Sequence, residues 1–414
     1  ENIKILTSTT LFAYMHYNYL LAIQDLDQNK GIDKNNSIRQ IVWKIRAKKV
    51  ILSTGSIERP LSFNNNDRPG VMLAASVSKY LNGFGVKLGK KIIIFTNNDS
   101  AYQTAIDYHH QNIKITAVVD VREKIDGDLP IKVKNLGIKI YSGSVISNTA
   151  GRKRIKSVTI KKTNTAKENN KNNYEVLECD LLCMSGGWSP TVHLFTQSRG
   201  KLKFRSEDSC FVPNQPYQET LSIGSCNGTF DLSSILKETY ESVNNFLSEY
   251  DNLRTDNDIY ESEIIKTGKS KDAWLIHDEK KIGKSKIFVD FQNDVTAKDI
   301  NIALSEGFRS IEHVKRYTTN GMATDQGKTS NVNALGIISK LTGQEISNLG
   351  TTTFRLPYTP VTFGAMAGRY VKEFFDIKRT TPMHDWHINN QALFEDVGQW
   401  KRSWYYPIHN ETMH

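Results

Sequence analysis

Cysteine is scarce in this chain. Its 414 residues hold four, Cys179, Cys183, Cys210 and Cys226, and their spacing gives neither a disulfide framework nor the paired CxxC of a zinc or iron–sulfur site. The expectation is a reducing, cytoplasmic setting and no metal centre. Long apolar runs are missing too. The strongest, residues 92–95, falls far short of the roughly 18 residues a membrane span needs. The opening ENIKILTSTTLF lacks both Met and the basic, apolar, small-residue order of a secretory leader, so it reads as a cut rather than a start. No basic stripe accompanies the net charge of +10; Lys and Arg are spread among acids, which argues against nucleic acid as a partner. A diffuse positive field serves solubility and also attracts anionic cofactors. No internal repeat is evident. The GxGxxG phosphate loop, the usual sign of a dinucleotide fold, does not occur.

What is present is an α/β pattern with several domains, since compact domains run roughly 100 to 200 residues. Alternation and β-branched content predict strands over residues 3–10, 19–26, 38–47 and 50–53, the last delivering its backbone to Thr54-Gly55. A βαβ unit follows: strand 91–95, loop 96–100, helix 101–111 and strand 114–119, with a further strand at 138–142. Two alternating runs, 155–162 and 174–183, flank an Asn/Lys-rich tract that reads as a hairpin loop. A second strand-to-glycine turn lies at 185–190. A third spans 220–228 and leads into a helix over 232–250. Residues 251–285 read as a linker, and 296–306 and 310–317 as helices.

Glycine turns after buried strands are where a parallel sheet meets a nucleotide. In the βαβ unit the equivalent loop is Thr96-Asn97-Asn98-Asp99-Ser100-Ala101, where side chains crowd the turn and Asp99 opposes a phosphate of like charge. Asp99 reads as a helix cap, and Asp120 as a solvated strand end rather than a ribose acceptor. Thr54-Gly55 and the turn 224–228 are better placed, flanking the inserted unit on both sides. Either is equally an ordinary glycine turn when taken alone.

A resemblance adds to this. Ser53-Thr54-Gly55-Ser56-Ile57-Glu58-Arg59-Pro60, Asn66-Asp67-Arg68-Pro69-Gly70, Phe95-Thr96-Asn97-Asn98-Asp99-Ser100, Ser185-Gly186-Gly187-Trp188-Ser189-Pro190, Arg316-Tyr317-Thr318-Thr319, Gly321-Met322-Ala323-Thr324-Asp325-Gln326-Gly327-Lys328, Pro382-Met383-His384-Asp385-Trp386-His387 and Phe394-Glu395-Asp396-Val397-Gly398 occur in this order. Together they resemble the alpha subunit of heterotetrameric sarcosine oxidase, as a fragment lacking the N-terminal phosphate loop and most of the C-terminal domain. The resemblance implies a two-domain FAD/NAD(P)-binding, disulfide-reductase-like fold with an inserted Rossmann-like unit, then a small helical linker domain and the start of an aminomethyltransferase-like domain. The corresponding boundaries are 1–87 and 181–250 for the first nucleotide-binding domain, 88–180 for the insert, 251–348 for the linker and helical domain, and 349–414 for the start of the folate-binding domain.

It further implies NAD near Leu11, Thr54, Gly55, Asn227, Gly228, Leu232 and Ser234. FMN is implied at an interface with the beta subunit, near Arg316, Thr318, Thr319, Gly321, Thr324, Gln326, Gly327 and Lys328. Tetrahydrofolate belongs in the C-terminal domain, FAD in the partner, and gamma and delta subunits complete the assembly. The implied activity is oxidative demethylation of sarcosine to glycine with hydrogen peroxide and formaldehyde or 5,10-methylenetetrahydrofolate, active only in the complex. No residue of this chain receives a catalytic role. His384 and His387 lack a third ligand and read as ordering a domain entrance. Two alternatives stay open: a related amine or proline-type dehydrogenase subunit, and a non-enzymatic scaffold. Dehydrogenase relatives carry a cysteine cluster in the middle region, and residues 251–348 contain no Cys.

Overall fold

A computed structural model describes residues 3–26, 38–163, 174–251, 260–276, 279–368, 371, 374, 376–409 and 411–412. The tract 164–173, read as a hairpin loop, lies outside them, as does part of the expected linker. The chain forms two compact units, one of residues 1–10, 22–43 and 360–414 and one of 11–21 and 44–359. Strands Thr9–Met15, Tyr19–Asp25 and Gln40–Arg46 pair in that order. The first of them starts later than the predicted 3–10. Ile3 and Ile5 are more than four-fifths exposed, and Ser8 takes a left-handed φ of 51°, so regular pairing begins only past this turn.

In the larger unit a five-stranded parallel sheet runs Val71–Leu73, Leu181–Ser185, Ile92–Thr96, Ile115–Asp120, Ile140–Tyr141. Its central strands are apolar on both faces because both faces are covered. Ile92, Ile94, Leu181 and Cys183 pack under helices Ala74–Phe84, Ser100–His110 and Asp128–Asn135. The alternate residues Ile93, Phe95, Leu182 and Met184 face an antiparallel sheet of Ser144–Ala150, Ser157–Lys162 and Tyr174–Glu178. The predicted run 174–183 is thus two strands in two sheets. It breaks at Asp180, whose carboxylate accepts the amides of Lys90 and Lys91 at 2.8 to 3.0 Å. The insert also recruits Val71–Leu73, so its sheet begins before residue 88.

Helix Ala74–Phe84, not anticipated from the sequence, has no cap of its own at Leu73. Its Ala75 amide is instead taken by Glu58, 2.9 Å away and 17 residues upstream. Burial pushes the Glu58 carboxyl up to about 7, against the lowering effect of its bonds to Ala75 and Ser185. The folded state therefore binds this proton more tightly than the unfolded chain. Glu58 imposes no penalty below pH 4.5, a growing one between 4.5 and 7, and its full penalty above. Glu58→Gln is expected to raise unfolding stability at pH 8 by about 3 kcal/mol, with the gain vanishing near pH 4.5. Denaturant melts at the two pH values check this, and a variant equal to wild type at both would refute it.

The segment expected to be a linker is a strap over its described part. Lys266, Gly268 and Lys271 donate amides to Asp128, Asp99 and the Asn97 carbonyl respectively, and Leu275 and Ile276 are buried. A helical core follows. Ala297–Ser305, opened by a Thr296/Asp299 capping box, packs with Ile311–Thr318, Asn331–Thr342 and Ile346–Leu349.

The smaller unit contains the sheet Arg379–Thr380, Trp400–Tyr405, Leu393–Val397 and helix His384–Asn389. His387 hydrogen bonds Tyr406, and His384 packs on Phe394. No cluster able to hold a metal is found among the described residues. No helix among them is long and apolar enough to cross a membrane.

Candidate functional site

Strands Val50–Leu52 and Thr220–Ser222 pair in parallel, so the turns that leave them emerge side by side. Ile223 donates its amide, and Cys226 its thiol, to the Leu52 carbonyl, each at 3.0 Å. Gly55, at φ 75°, has only Ser225 Oγ near its missing Cβ, 3.9 Å away. Thr54 and Gly55 are pinned from below by Thr191, which accepts the Thr54 hydroxyl at 2.8 Å and donates its amide to the Gly55 carbonyl at 2.9 Å. Leu11 packs against the cluster beneath, with Leu52 and Cys226. The two turns, far apart in sequence, therefore meet at one place.

Not every residue there is free for a ligand. Asn227 Nδ2 donates to Glu238 Oε1 at 2.6 Å, and the Gly224 amide points at the other oxygen of the same carboxylate. Ser234, which the resemblance places near NAD, donates its amide to Asp231 Oδ2 at 2.8 Å. The Ser234 hydroxyl and amide hold the Asp231 carboxyl below its usual range. Asp231 thus caps helix Leu232–Asp251 with a negative charge, and the open groups are Leu232, more than half exposed, and the Thr54–Gly55 backbone. Gly228 is buried in a left-handed C-cap, and a Cβ there would lie 2.6 Å from Val212 Cγ1 and 2.8 Å from the Arg205 guanidinium.

The corresponding loop in the inserted unit is engaged by the protein itself. Asp120 is not a solvated strand end; it is fully buried. Arg122 Nε and its terminal nitrogen hold it at 2.7 to 3.3 Å, and the Tyr102 hydroxyl donates to it at 2.8 Å. The same guanidinium lies 2.7 Å from Asp99. Asp99 does not cap its helix: the Ser100 amide goes to Asn98 Oδ1, while Asp99 Oδ2 accepts the Gly268 amide of the strap. Burial alone would lower the Arg122 pKa, but the two carboxylates overcome it and hold the guanidinium charged. This ion triad, bonded to the strap through the Gly268 amide, lies at the loop that follows the strand Ile92–Thr96 and puts two carboxylates where an anion would be repelled.

The loop 318–331 is tied inward more than the sequence suggests. The Thr318 hydroxyl bonds the Val314 carbonyl, the Thr319 hydroxyl the Thr318 carbonyl, and Thr324 accepts from Gln292. The Gly321 amide donates to Asp290 Oδ2 at 2.7 Å, and that of Gly327 to Asp325, so neither glycine amide is left for a phosphate. Gly327 makes room for Asn331 Oδ1, which a Cβ would strike at 1.9 Å. Gln326 clips residues 355–357: its Nε2 donates to the Arg355 and Pro357 carbonyls, and its Oε1 accepts the Arg355 amide. Lys328 lies over the Tyr358 ring, 4.5 Å from its centroid. Tyr358 stacks on His193, whose pKa burial, aided by Lys328, pushes down to about 3. Asn320 is 1% exposed, and neither side-chain atom has a partner among the described residues. Beside this loop, sequence reasoning missed Arg355, which lines a pocket of about 200 Å³ with Lys315, Arg316 and Gln326.

A parallel sheet with an antiparallel flap, inserted between two halves that meet at paired glycine turns, defines a two-domain FAD/NAD(P)-binding fold. The chain shares it with L-proline dehydrogenase from P. horikoshii, at a TM-score of 0.61 and 17% identity over 87% of this chain and 64% of that one. A family profile for the sarcosine oxidase A3 domain matches residues 284–369. The sarcosine oxidase alpha subunit of Corynebacterium sp. (strain U-96) is 38% identical over all of this chain and 43% of its own length. That of Rhizobium meliloti (strain 1021) is 34% identical over 99% of the chain and 40% of its own length. The chain belongs to the sarcosine oxidase alpha-subunit family, and it spans less than half the length of these relatives.

Proposed function

We propose that this chain is the dinucleotide-holding and flavin-facing part of a sarcosine oxidase alpha subunit, working in a complex that demethylates sarcosine to glycine with release of hydrogen peroxide. The observation that carries this reading is the meeting of the turns at Thr54-Gly55 and 224–228 on adjacent parallel strands. NAD is assigned there, with its pyrophosphate over the Thr54–Gly55 backbone, Leu232 at its edge, and Leu11, Asn227, Gly228 and Ser234 supporting the turns and the helix start around it. The ion triad of Asp99, Arg122 and Asp120 in the inserted unit favours this position over the loop 96–101.

FMN is assigned to the face carrying the loop 318–328, shared with a beta subunit that holds FAD and oxidises the amine. The orphaned amide of Asn320 supports a polar occupant near this loop. When bound, FMN would pass electrons towards oxygen; the chain's own task is to fix the loop through Asp290 and Gln326. Tetrahydrofolate is assigned to the domain that begins near residue 349, where it would accept the one-carbon product, and gamma and delta subunits complete the assembly. The cytoplasmic placement rests on four free, buried cysteines.

The test is an oxygen-electrode and peroxide assay of the assembled complex. One hydrogen peroxide per sarcosine consumed is expected. Sarcosine turnover that reduces an added carrier without peroxide would replace the oxidase reading with that of a dehydrogenase subunit.

A further inference from the structure

Two sequence motifs that the sites above leave unused, Glu58-Arg59-Pro60 and Ser185-Gly186-Gly187-Trp188-Ser189-Pro190, are partners in the structure. The chain enters the inserted unit through residues 56–70 and leaves it after Ser185, and the two passages pair as antiparallel strands, Ser56–Glu58 with Trp188–Pro190. One end of this ribbon closes at the dinucleotide turn, where Thr191 holds the Thr54 hydroxyl and the Gly55 carbonyl. The other end is closed by Arg59. Its amide donates to the Gly187 carbonyl at 2.8 Å, and its carbonyl accepts the Gly186 amide at 2.7 Å.

The Arg59 side chain grips the same stretch a second time. It is 1% exposed. Its Nε and Nη2 donate to the Gly186 carbonyl at 3.2 and 3.1 Å, and its Nη1 to the Trp188 carbonyl at 3.1 Å and the Ser189 hydroxyl at 3.2 Å. Nη2 also reaches the Asp208 carbonyl at 3.5 Å, and the guanidinium lies 5.4 Å from the centre of the Trp274 ring. Burial pushes its pKa down to about 10, against the opposing effect of Cys210, Asp272 and Asp208, so it stays charged at neutral pH. Both acids are engaged elsewhere: Asp208 pairs with Arg205 at 2.5 Å, and Asp272 accepts the Ser209 hydroxyl. A buried cation is costly unless its donors are bonded, and here backbone carbonyls take most of them. Gly187 makes the room. It stands at φ 95°, and a Cβ there would lie 2.7 Å from Arg59 Nη2.

We infer that Arg59 is a positioning residue for the dinucleotide site: its guanidinium fixes the backbone of residues 186–189, the strand Trp188–Pro190 carries that placement to Thr191, and Thr191 sets the Thr54–Gly55 turn. A planar fork of donors spans the carbonyls of residues 186 and 188 together, which an ammonium, with its donors at one point, does not. NAD as the ligand of that turn rests on the reading proposed above; the placement of the turn by Arg59 does not.

The test titrates the full chain, in its complex, with NAD by calorimetry and follows amide exchange in the same preparations. Arg59→Lys is expected to weaken NAD by about tenfold to a hundredfold. Thr54→Val removes the hydroxyl bonded to Thr191; it should cost about fivefold alone and less than about twofold in the Arg59→Lys background, where Thr191 is already displaced. Exchange separates positioning from general stability: in Arg59→Lys the Thr191 amide should quicken at least about tenfold more than that of Ile94 in the core strand, whereas a merely structural role quickens both alike. Should Arg59→Lys fail to fold, Gly187→Ala, which drives a Cβ against the same guanidinium, takes its place with the same expected results. Thr191 exchange quickened in this way, in a protein that binds no NAD even as wild type, would uphold the placement of the turn and sink the dinucleotide reading. NAD bound by the folded variant as by wild type, a full fivefold loss from Thr54→Val in both backgrounds, or Thr191 quickened no more than Ile94 would overturn the role of Arg59.

Discussion

Arg122→Met is expected to destabilise the larger unit by about 3–5 kcal/mol, the cost of leaving buried carboxylates without their counter-ion. Asp120 is fully buried and Asp99 nearly so. Both depend on the one guanidinium, which lies 2.7 Å from each. For a unit of this size the loss corresponds to a fall in melting temperature of roughly 10 °C. Replacing all three charges together, Asp99→Asn, Arg122→Met and Asp120→Asn, should recover most of it, because no unpaired charge is then buried. A single variant that melts like wild type would mean that the triad is solvated and is no buried obstacle to an anion. The triad also ties the strap to the insert through the Gly268 amide, so amide exchange at residues 266–271 should quicken in Arg122→Met along with the loss of stability.

Gly55→Leu should reduce bound dinucleotide on the order of 100-fold, equivalent to losing about 3 kcal/mol of contact. Gly228 is the poorer choice for this test, since any side chain there collides with Val212 and Arg205 and unsettles the fold first. At Gly55 the space above the turn is open, with Ser225 Oγ at an ordinary 3.9 Å from where a methyl group would sit. A leucine there extends into that space, over the backbone to which a pyrophosphate must approach closely. The left-handed φ of 75° adds a strain of about 1–2 kcal/mol. Gly55→Ala carries the same strain with little bulk and serves as the control. Wild-type nucleotide content in a folded Gly55→Leu protein would remove these turns from the site.

The parts legible in the sequence are those fixed by local pattern. Residues 92–95 are apolar on both faces and could only be a covered strand, and the Thr296/Asp299 pair announces its helix by a capping box. Helix Ala74–Phe84 is not legible because its N-terminal partner is Glu58, from another strand. The crowding of loop 96–101 can be read from its side chains, but its chemistry cannot: Asp99 is not a cap, and the charge that neutralises it is Arg122. A signal for this exists. Asp120 and Arg122 are two apart where the strand Ile115–Asp120 ends, an acid and a base close enough in sequence to pair. The strap from residue 266 and the clip that brings Arg355 to Lys315 join segments far apart in sequence, which no periodicity reveals. The paired turns are legible as glycine motifs, while the acidic caps Asp231 and Glu238 that consume their amides are not, because an acid in a helix's first turns reads equally as a solvated residue.

The most direct test of the dinucleotide assignment is to denature the assembled, chromatographically pure complex and quantify the nucleotide it releases. One NAD per chain, lost in Gly55→Leu and retained in the charge-neutral triple variant of Asp99, Arg122 and Asp120, is the expected result. A folded complex that releases no NAD, or one whose NAD is lost in the triple variant and kept in Gly55→Leu, would contradict it.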